Sequence, residues 1–325
     1  VGPALAVGVL MLGALSLFVG SQPVRPDVVL EALRHFDGAN QDHVIVVRMR
    51  LPRLAVGIIA GLALGSAGTV VQTMTRNPLA EPGLLGINSG AALFVVSGLV
   101  FLGADHPGQM MALAMTGALL AGAVVLLVGG AFSTTADPVR LVLAGAAVST
   151  VLGSITSALV LGYPTVFSSF RSWDAGGVAP RPWALVAMGL AALLVGALVA
   201  LAAARSLDAL ALGVDAGRAM GVSVRRAWFG GGLSVVVLCG AATALVGPIA
   251  FLALAAAIMA RRLVGGGLMR LLPTAALAAV VVLLTSDLVG RVILRPVEME
   301  AGIVCALLGA PLFVALARRS RVTTA

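Results

Sequence analysis

The chain has 325 residues, of which 60% are hydrophobic and only 10% charged, with a mean hydropathy of +1.10. That is too little polar side chain to cover a water-facing globule of this length. Lysine is absent, so all 21 Lys and Arg positions are arginine and the formal net charge is +8, which excludes a phosphate-binding loop of the Walker type, because that loop needs a lysine behind its glycines.

Aromatic residues make up 4% of the chain and glycines number 40, so the apolar segments are built from Ala, Leu, Val and Gly. Such small side chains let helix backbones approach closely in lipid, and the expected fold class is all-α, a polytopic transmembrane helix bundle rather than a barrel. A helix needs about twenty apolar residues to cross the hydrocarbon core. Apolar runs lie at 2–20, 54–73, 84–103, 109–131, 140–162, 183–204, 227–260, 271–290 and 302–317. The 227–260 run is too long for one span and is interrupted at Gly247-Pro248; split there into two short helices, it brings the expectation to about ten spans in a single transmembrane domain over 1–325. The first run lacks the small-residue cleavage site of a secretory leader and reads as a first membrane helix with a trimmed start.

Cytoplasmic loops retain positive charge. With the N-terminus inside, one set of loops holds arginines from Arg76 to Arg321 and carries the whole excess of +8, while the other set, with Arg25, Arg34, Arg48, Arg50, Arg53, Arg171, Arg181, Arg291 and Arg295, is balanced by carboxylates. Both termini are then expected in the cytoplasm. The same asymmetry accounts for the high isoelectric point without a nucleic-acid partner. Trp173, within the 163–182 segment, and Trp183, just after it, are candidate interface anchors. Cys239 and Cys305 lie inside apolar runs and read as small core residues, and His35, His43 and His106 fall in loops without metal-site spacing and read as solvated.

An ordered set of motifs runs through this frame: Arg50-Leu51-Pro52-Arg53, then Arg76-Asn77-Pro78-Leu79-Ala80-Glu81-Pro82, Leu85-Gly86-Ile87-Asn88-Ser89-Gly90-Ala91, the stretch Gly213 to Gly221, Gly247-Pro248-Ile249-Ala250-Phe251, Ser286-Asp287 to Arg291, and Gly309-Ala310-Pro311-Leu312-Phe313. Together they resemble the FecCD/BtuC-like permease family of type II ABC importers for iron siderophores, haem and cobalamin. The resemblance covers nearly the whole chain. It implies a non-catalytic permease subunit of the bacterial cytoplasmic (inner) membrane that pairs with a second permease, identical or paralogous. ABC ATPase subunits that use ATP and Mg would bind below, and a periplasmic or lipid-anchored substrate-binding protein would deliver the cargo above. No cofactor is expected on the chain itself.

The loop 206–226 places Leu207, Leu210, Ala211, Val214, Arg218 and Met220 at the spacing of a short amphipathic helix, with Asp208 and Asp215 polar and Gly213 a break. Such a helix either inserts its apolar stripe into a partner groove or rests on lipid headgroups. The resemblance makes it the ATPase-coupling element, with Leu207, Leu210, Gly213, Asp215, Arg218, Met220 and Gly221 as its residues. On the opposite face Arg50, Arg53 and Arg291 are either helix-end anchors or, as the resemblance implies, contacts for acidic residues of the binding protein, to which an arginine fork is suited. The Arg76–Pro82 loop reads as a tight turn whose side chains satisfy free backbone groups.

Thr150, Gly153, Ser154 and Ser157 share one helix face. Small polar stripes commonly serve helix packing; the resemblance instead makes Thr150, Ser154 and Ser157 a translocation wall, with Tyr163 near its outer mouth. Gly61 and Gly65 form a small-xxx-small packing pair. Two positions depart from the family pattern. Ala257-Ile258 replaces a Pro-His pair, which should leave that helix straighter and drier, while the Ala253-Leu254-Ala255-Ala256 run before it is similar to ferric catecholate permeases, which often carry Pro-Gln at 257–258; and Glu300 stands in place of a proline. The expected function is thus the permease of an ATP-driven importer of ferric siderophores. The alternative is an ion-coupled secondary transporter, which usually keeps carboxylates near the bilayer midplane.

Overall fold

In the computed structural model, the backbone is described for residues 1–131, 137–294 and 297–320, and side chains for all of these except 84, 312–313 and 315–320. Arg295 and Arg321 lie outside the described residues. Among those described there are fourteen α-helices and no strand. They are α1 (Gly2–Phe18), α2 (Pro26–Arg34), α3 (Gln41–Val44), α4 (Leu51–Thr75), α5 (Ile87–Phe101), α6 (Pro107–Val128) and α7 (Pro138–Gly162). Next come α8 (Phe167–Asp174), α9 (Trp183–Ala211), α10 (Val214–Ala219), α11 (Val224–Val246), α12 (Leu252–Val264), α13 (Leu268–Ile293) and α14 (Ala301–Ser320). A π-helical turn, Ile45–Arg50, joins α3 to α4.

Ten of these helices coincide with the apolar runs, but they are unequal. Six are long and apolar enough to cross a membrane, namely Gln41–Thr75, α6, α7, α9, α11 and α13, whereas α1 and α5 are shorter. The expected hairpin of two short helices is corrected. Gly247, at φ 75, does end α11, but that helix starts at Val224 and runs for 23 residues, leaving only α12 short at 13. At 1.5 Å per residue α12 reaches about 20 Å, and Leu252 to Ile258 are all buried. It is continuous through Ala257-Ile258, as the loss of the helix-breaking proline predicts.

The bundle is organised around α4 and α11, whose most apolar stretches are 78% buried, against 22% for α7 and 28% for α9. Lipid offers no hydrophobic drive between helices, so close approach of backbones has to supply the packing. The glycines of α4 provide it. A Cβ on Gly61 would lie 2.8 Å from Val280 Cα, one on Gly65 2.3 Å from the Ala275 carbonyl oxygen, and one on Gly68 2.5 Å from that of Ala253. The small-residue pair seen in the sequence is therefore the seam between α4 and α13, and Gly68 extends it to α12.

Two sequence assignments are corrected by burial. Trp173 is not an interface anchor: it is 7% exposed and packs beside Phe170 at 6.2 Å between ring centroids, whereas Trp183 is exposed. His43 is not solvated, being 2% exposed, and its Nδ1 accepts a hydrogen bond from the Asp37 amide at 3.1 Å. That bond folds the α2–α3 corner, a local structure with no hydropathy signal. Cys239 and Cys305 are buried free thiols.

Candidate functional site

One end of the bundle carries the ends of α1 and α13 and the start of α4. Here the three candidate docking arginines converge on the chain itself. Arg50 donates from Nη1 to the carbonyls of Leu17 (2.6 Å) and Phe18 (3.2 Å) and from Nη2 to that of Gln22 (2.7 Å). Arg291 donates from Nη1 to the carbonyls of Ser16 (3.0 Å) and Val19 (3.2 Å). The last carbonyls of a helix have no partner within it, and α1 has no basic residue in its last turn, so guanidinium groups from two distant segments serve as its C-cap. Gly20 leaves the room, since a Cβ there would lie 2.7 Å from Arg50 Nη2.

Asp287 is the negative centre of this cluster. Its Oδ1 accepts from Arg53 Nη2 at 2.7 Å and from Nε at 3.2 Å, while Oδ2 pairs with Arg291 one turn along α13. Arg53 also reaches Glu298, Nη1 to Oε2, at 2.6 Å. Arg50 and Arg291 are thus engaged within the chain, as helix-end anchors would be. Arg50 and Arg291 are 5% and 2% exposed, because desolvated guanidinium groups find carbonyl and carboxylate partners inside the protein. Of the three, only Arg53 is partly accessible, with 16% of its side chain exposed, and all three of its guanidinium nitrogens are already paired with Asp287 and Glu298.

Outside the helices the two glutamates beside this cluster differ. Burial raises carboxylate pKa values, yet at Glu298 hydrogen bonds from Ser21 and Arg53 outweigh it and hold the group below its usual range. At Glu300 burial dominates, and its neighbours Glu298 and Asp287 add to it against the pull of Arg53, so the group is pushed up. Glu300 lines a pocket of about 270 Å3 with Trp173, Gly177 and Arg181.

The other end holds the arginine-rich turns. The 76–86 segment folds back as expected of a turn that serves its own backbone: Asn77 Oδ1 accepts from the Leu79 amide at 2.9 Å, and Glu81 Oε1 from the Phe251 amide at 2.7 Å. The second bond caps the start of α12, where Phe251 sits in the left-handed region at φ 63. Asp208 does the same for α13, with both carboxylate oxygens 2.9 Å from the Leu268 amide.

The candidate coupling residues divide between two helices. Leu207 and Leu210 do not belong to a separate amphipathic helix, because α9 continues through them to Ala211 and buries them at 1% and 4% exposure. The separate element is α10, Val214–Ala219, set off by Gly213 at φ 129 and Gly221 at φ 79, backbone angles that favour glycine. It packs on α9 through Gly217, where a Cβ would meet Leu210 Cδ2 at 2.6 Å. Asp215 and Arg218 form an exposed pair at 3.4 Å, and Met220 is 56% exposed. An unbroken hydrophobic period across 207–211 could not separate the end of a long helix from the start of a short one.

The polar stripe of α7 lies on that helix's open face. Thr150, Ser154 and Ser157 are exposed, and among the described residues no other helix covers them. Their hydroxyls are satisfied along the helix, Thr150 Oγ1 donating to the Ala146 carbonyl (2.9 Å) and Ser154 Oγ to that of Thr150 (2.8 Å). Packing within the chain is thus not the role of this stripe. Tyr163, 45% exposed, closes the helix edge-on to Phe101 at 6.2 Å.

The described residues thus form an apolar helical bundle with polar clusters at both ends and an exposed polar face on α7. The chain matches the FecCD transport family model over residues 8–319. It is 42% identical over 319 residues to the ferric enterobactin transport system permease protein FepD of Escherichia coli (strain K12), covering 98% of this chain and 94% of that one. It is 35% identical over 313 residues to the iron(3+)-hydroxamate import system permease protein FhuB of Bacillus subtilis (strain 168), covering 96% and 81%. Its fold is similar to a solved structure presented as the inward-facing conformation of a metal-chelate type ABC transporter, with a TM-score of 0.82, 24% identity and 98% of each chain covered. The chain belongs to the FecCD transport family. It is a permease subunit of the ABC importer class, a transport component and not an enzyme, and the ion-coupled alternative is not favoured.

Proposed function

We propose that this permease subunit imports a ferric siderophore through the bacterial inner membrane, powered by separate ATPase subunits. The observation that carries the cargo reading is the 42% identity to a ferric enterobactin permease along nearly the full chain. The absence of lysine supports placing ATP and Mg on the partner, since no Walker loop can form here. The ten apolar helices are all crossings, the short α1, α5, α12 and α14 among them, with both termini and the arginine-rich turns in the cytoplasm.

Under this reading α10, with Gly213, Asp215, Arg218, Met220 and Gly221, docks on the ATPase, and Leu207 and Leu210 are the buried footing that passes its movement into α9. The exposed Thr150, Ser154 and Ser157 face, with Tyr163 at its end, lines the route shared with a second permease subunit. At the periplasmic end, carboxylates of a binding protein compete with Asp287 and Glu298 for Arg53, while Arg50 and Arg291 hold the framework. Reconstitution with the ATPase and with binding proteins loaded with ferric catecholate, hydroxamate, citrate or cobalamin tests the proposal. Ferric catecholate should give the highest stimulated ATP turnover and iron uptake. Equal stimulation by cobalamin would overturn the cargo reading, and uptake without any ATPase would overturn the whole.

A further inference from the structure

Beside α10, a recess of about 730 Å3 opens between the ends of α4, α9 and α12 and the start of α13. Its walls include Gln72 and Arg76, Asp208, Met220, Arg261 and Gly267. The charges in it are unevenly engaged. Both oxygens of Asp208 lie 2.9 Å from the Leu268 amide, so the one carboxylate lining the recess caps α13 while its charge also acts on Arg261. Arg261 gives its Nε to Gln72 Oε1 at 3.2 Å, and its two amino groups make no hydrogen bond among the described residues. Arg76 is exposed and sits in the left-handed region at φ 50; its amide donates to the Thr73 carbonyl at 3.4 Å, and its guanidinium makes no hydrogen bond or ion pair among the described residues. Around the mouth, Leu212 and Met220 are 77% and 56% exposed.

Two guanidinium groups with open donor edges inside an apolar rim form a receptor for a carboxylate, which the arginine fork binds in two-point fashion, with the rim excluding water once covered. We infer that this recess receives an acidic side chain of the ATPase subunit, which bridges Arg76 and Arg261 and clamps the end of α4 to the end of α12. The inference rests on the proposed cytoplasmic placement of this end. It adds to α10 a second foothold, one that grips the helices on either side of the Gly68 seam rather than α9 alone.

The test uses the full-length permease in nanodiscs and its ATPase subunits, with affinity measured over a range of salt. Arg76→Glu should weaken ATPase binding at least tenfold, and Arg76→Gly, which keeps the left-handed turn without the charge, should weaken it less and flatten the salt dependence. An acid-to-arginine substitution on the ATPase should rescue Arg76→Glu. Unchanged affinity and salt slope in both variants, with wild-type binding intact, would overturn the recess while leaving the parent reading standing. A loss seen only in nanodiscs containing anionic phospholipid would assign the recess to a lipid phosphate and likewise overturn it. Wild-type permease that binds no ATPase would sink both.

Discussion

Arg53 at the start of α4 and Asp287 near the end of α13 meet at 2.7 Å, although 234 positions separate them in sequence. The carboxylate is 1% exposed and its second oxygen holds Arg291, so one acid balances two guanidinium groups from different helices. Removing it strands buried positive charge, which generally costs about 3–5 kcal/mol. Asp287→Ala is therefore expected to lower the unfolding midpoint of detergent-solubilised protein sharply. Arg25→Ala, which breaks a 2.9 Å pair exposed at 81% and 62%, should cost less than about 1 kcal/mol. Equal midpoints for the two variants would remove Asp287 from its central place.

The glycine seam makes a second contrast. Gly65→Ala places a methyl against the Ala275 carbonyl at 2.3 Å, and the nearest atoms are backbone, which cannot swing away. A loss of about 1–3 kcal/mol is expected from overpacking. Gly153→Ala has nothing within 4 Å in this chain and should be neutral or mildly stabilising through helix propensity. Thermal unfolding of the two variants side by side distinguishes seam from open face.

Glu298 and Glu300 should respond to pH in opposite senses. Because Glu298 is held below its unfolded value, the stability it contributes is present at neutral pH and disappears as pH falls through its folded value. Glu300 is raised above 4.5, so its contribution is present in acid and disappears as pH rises through the folded value. Glu300→Gln is accordingly expected to raise the thermal midpoint at neutral pH and to change little in acid, whereas Glu298→Gln should lower it at neutral pH. A Glu300→Gln variant less stable than wild type at neutral pH would show that the carboxylate is needed where burial argues against it.

Gly213 separates α9 from α10 at φ 129, an angle closed to proline, whose ring holds φ near about −65°. Gly213→Pro should leave the bundle folded, since a Cβ there would meet nothing within 4 Å, yet it removes the amide bond to the Leu210 carbonyl at 3.1 Å and should misdirect α10. In proteoliposomes with the ATPase, ATP turnover without uptake is the expected result, and Arg218→Glu should act the same way. Normal uptake at normal expression would count against α10 as the coupling element.

Hydropathy alone located ten helices, because each apolar run has to satisfy its own backbone in lipid and so declares itself locally. The Gly61–Gly65 seam and the Gly213 and Gly247 breaks were legible for the same reason: a small-residue spacing or a glycine constrains the chain where it stands. The placement of Arg50, Arg53 and Arg291 was not. Charged residues at helix ends look equally suited to solvent, headgroups or a partner, and only the folded chain brings the α1 carbonyls and Asp287 within bonding distance. Glu81 on Phe251 and Asp208 on Leu268 were hidden likewise, since a side chain capping a helix elsewhere in the molecule leaves no periodic trace at either site. Composition determined that this protein is an apolar helical bundle that cannot form a lysine-bearing Walker loop. Which of its few charges are structural and which stay open, and that the α7 stripe faces outward, was decided by tertiary packing, because desolvation and close approach depend on neighbours distant in sequence.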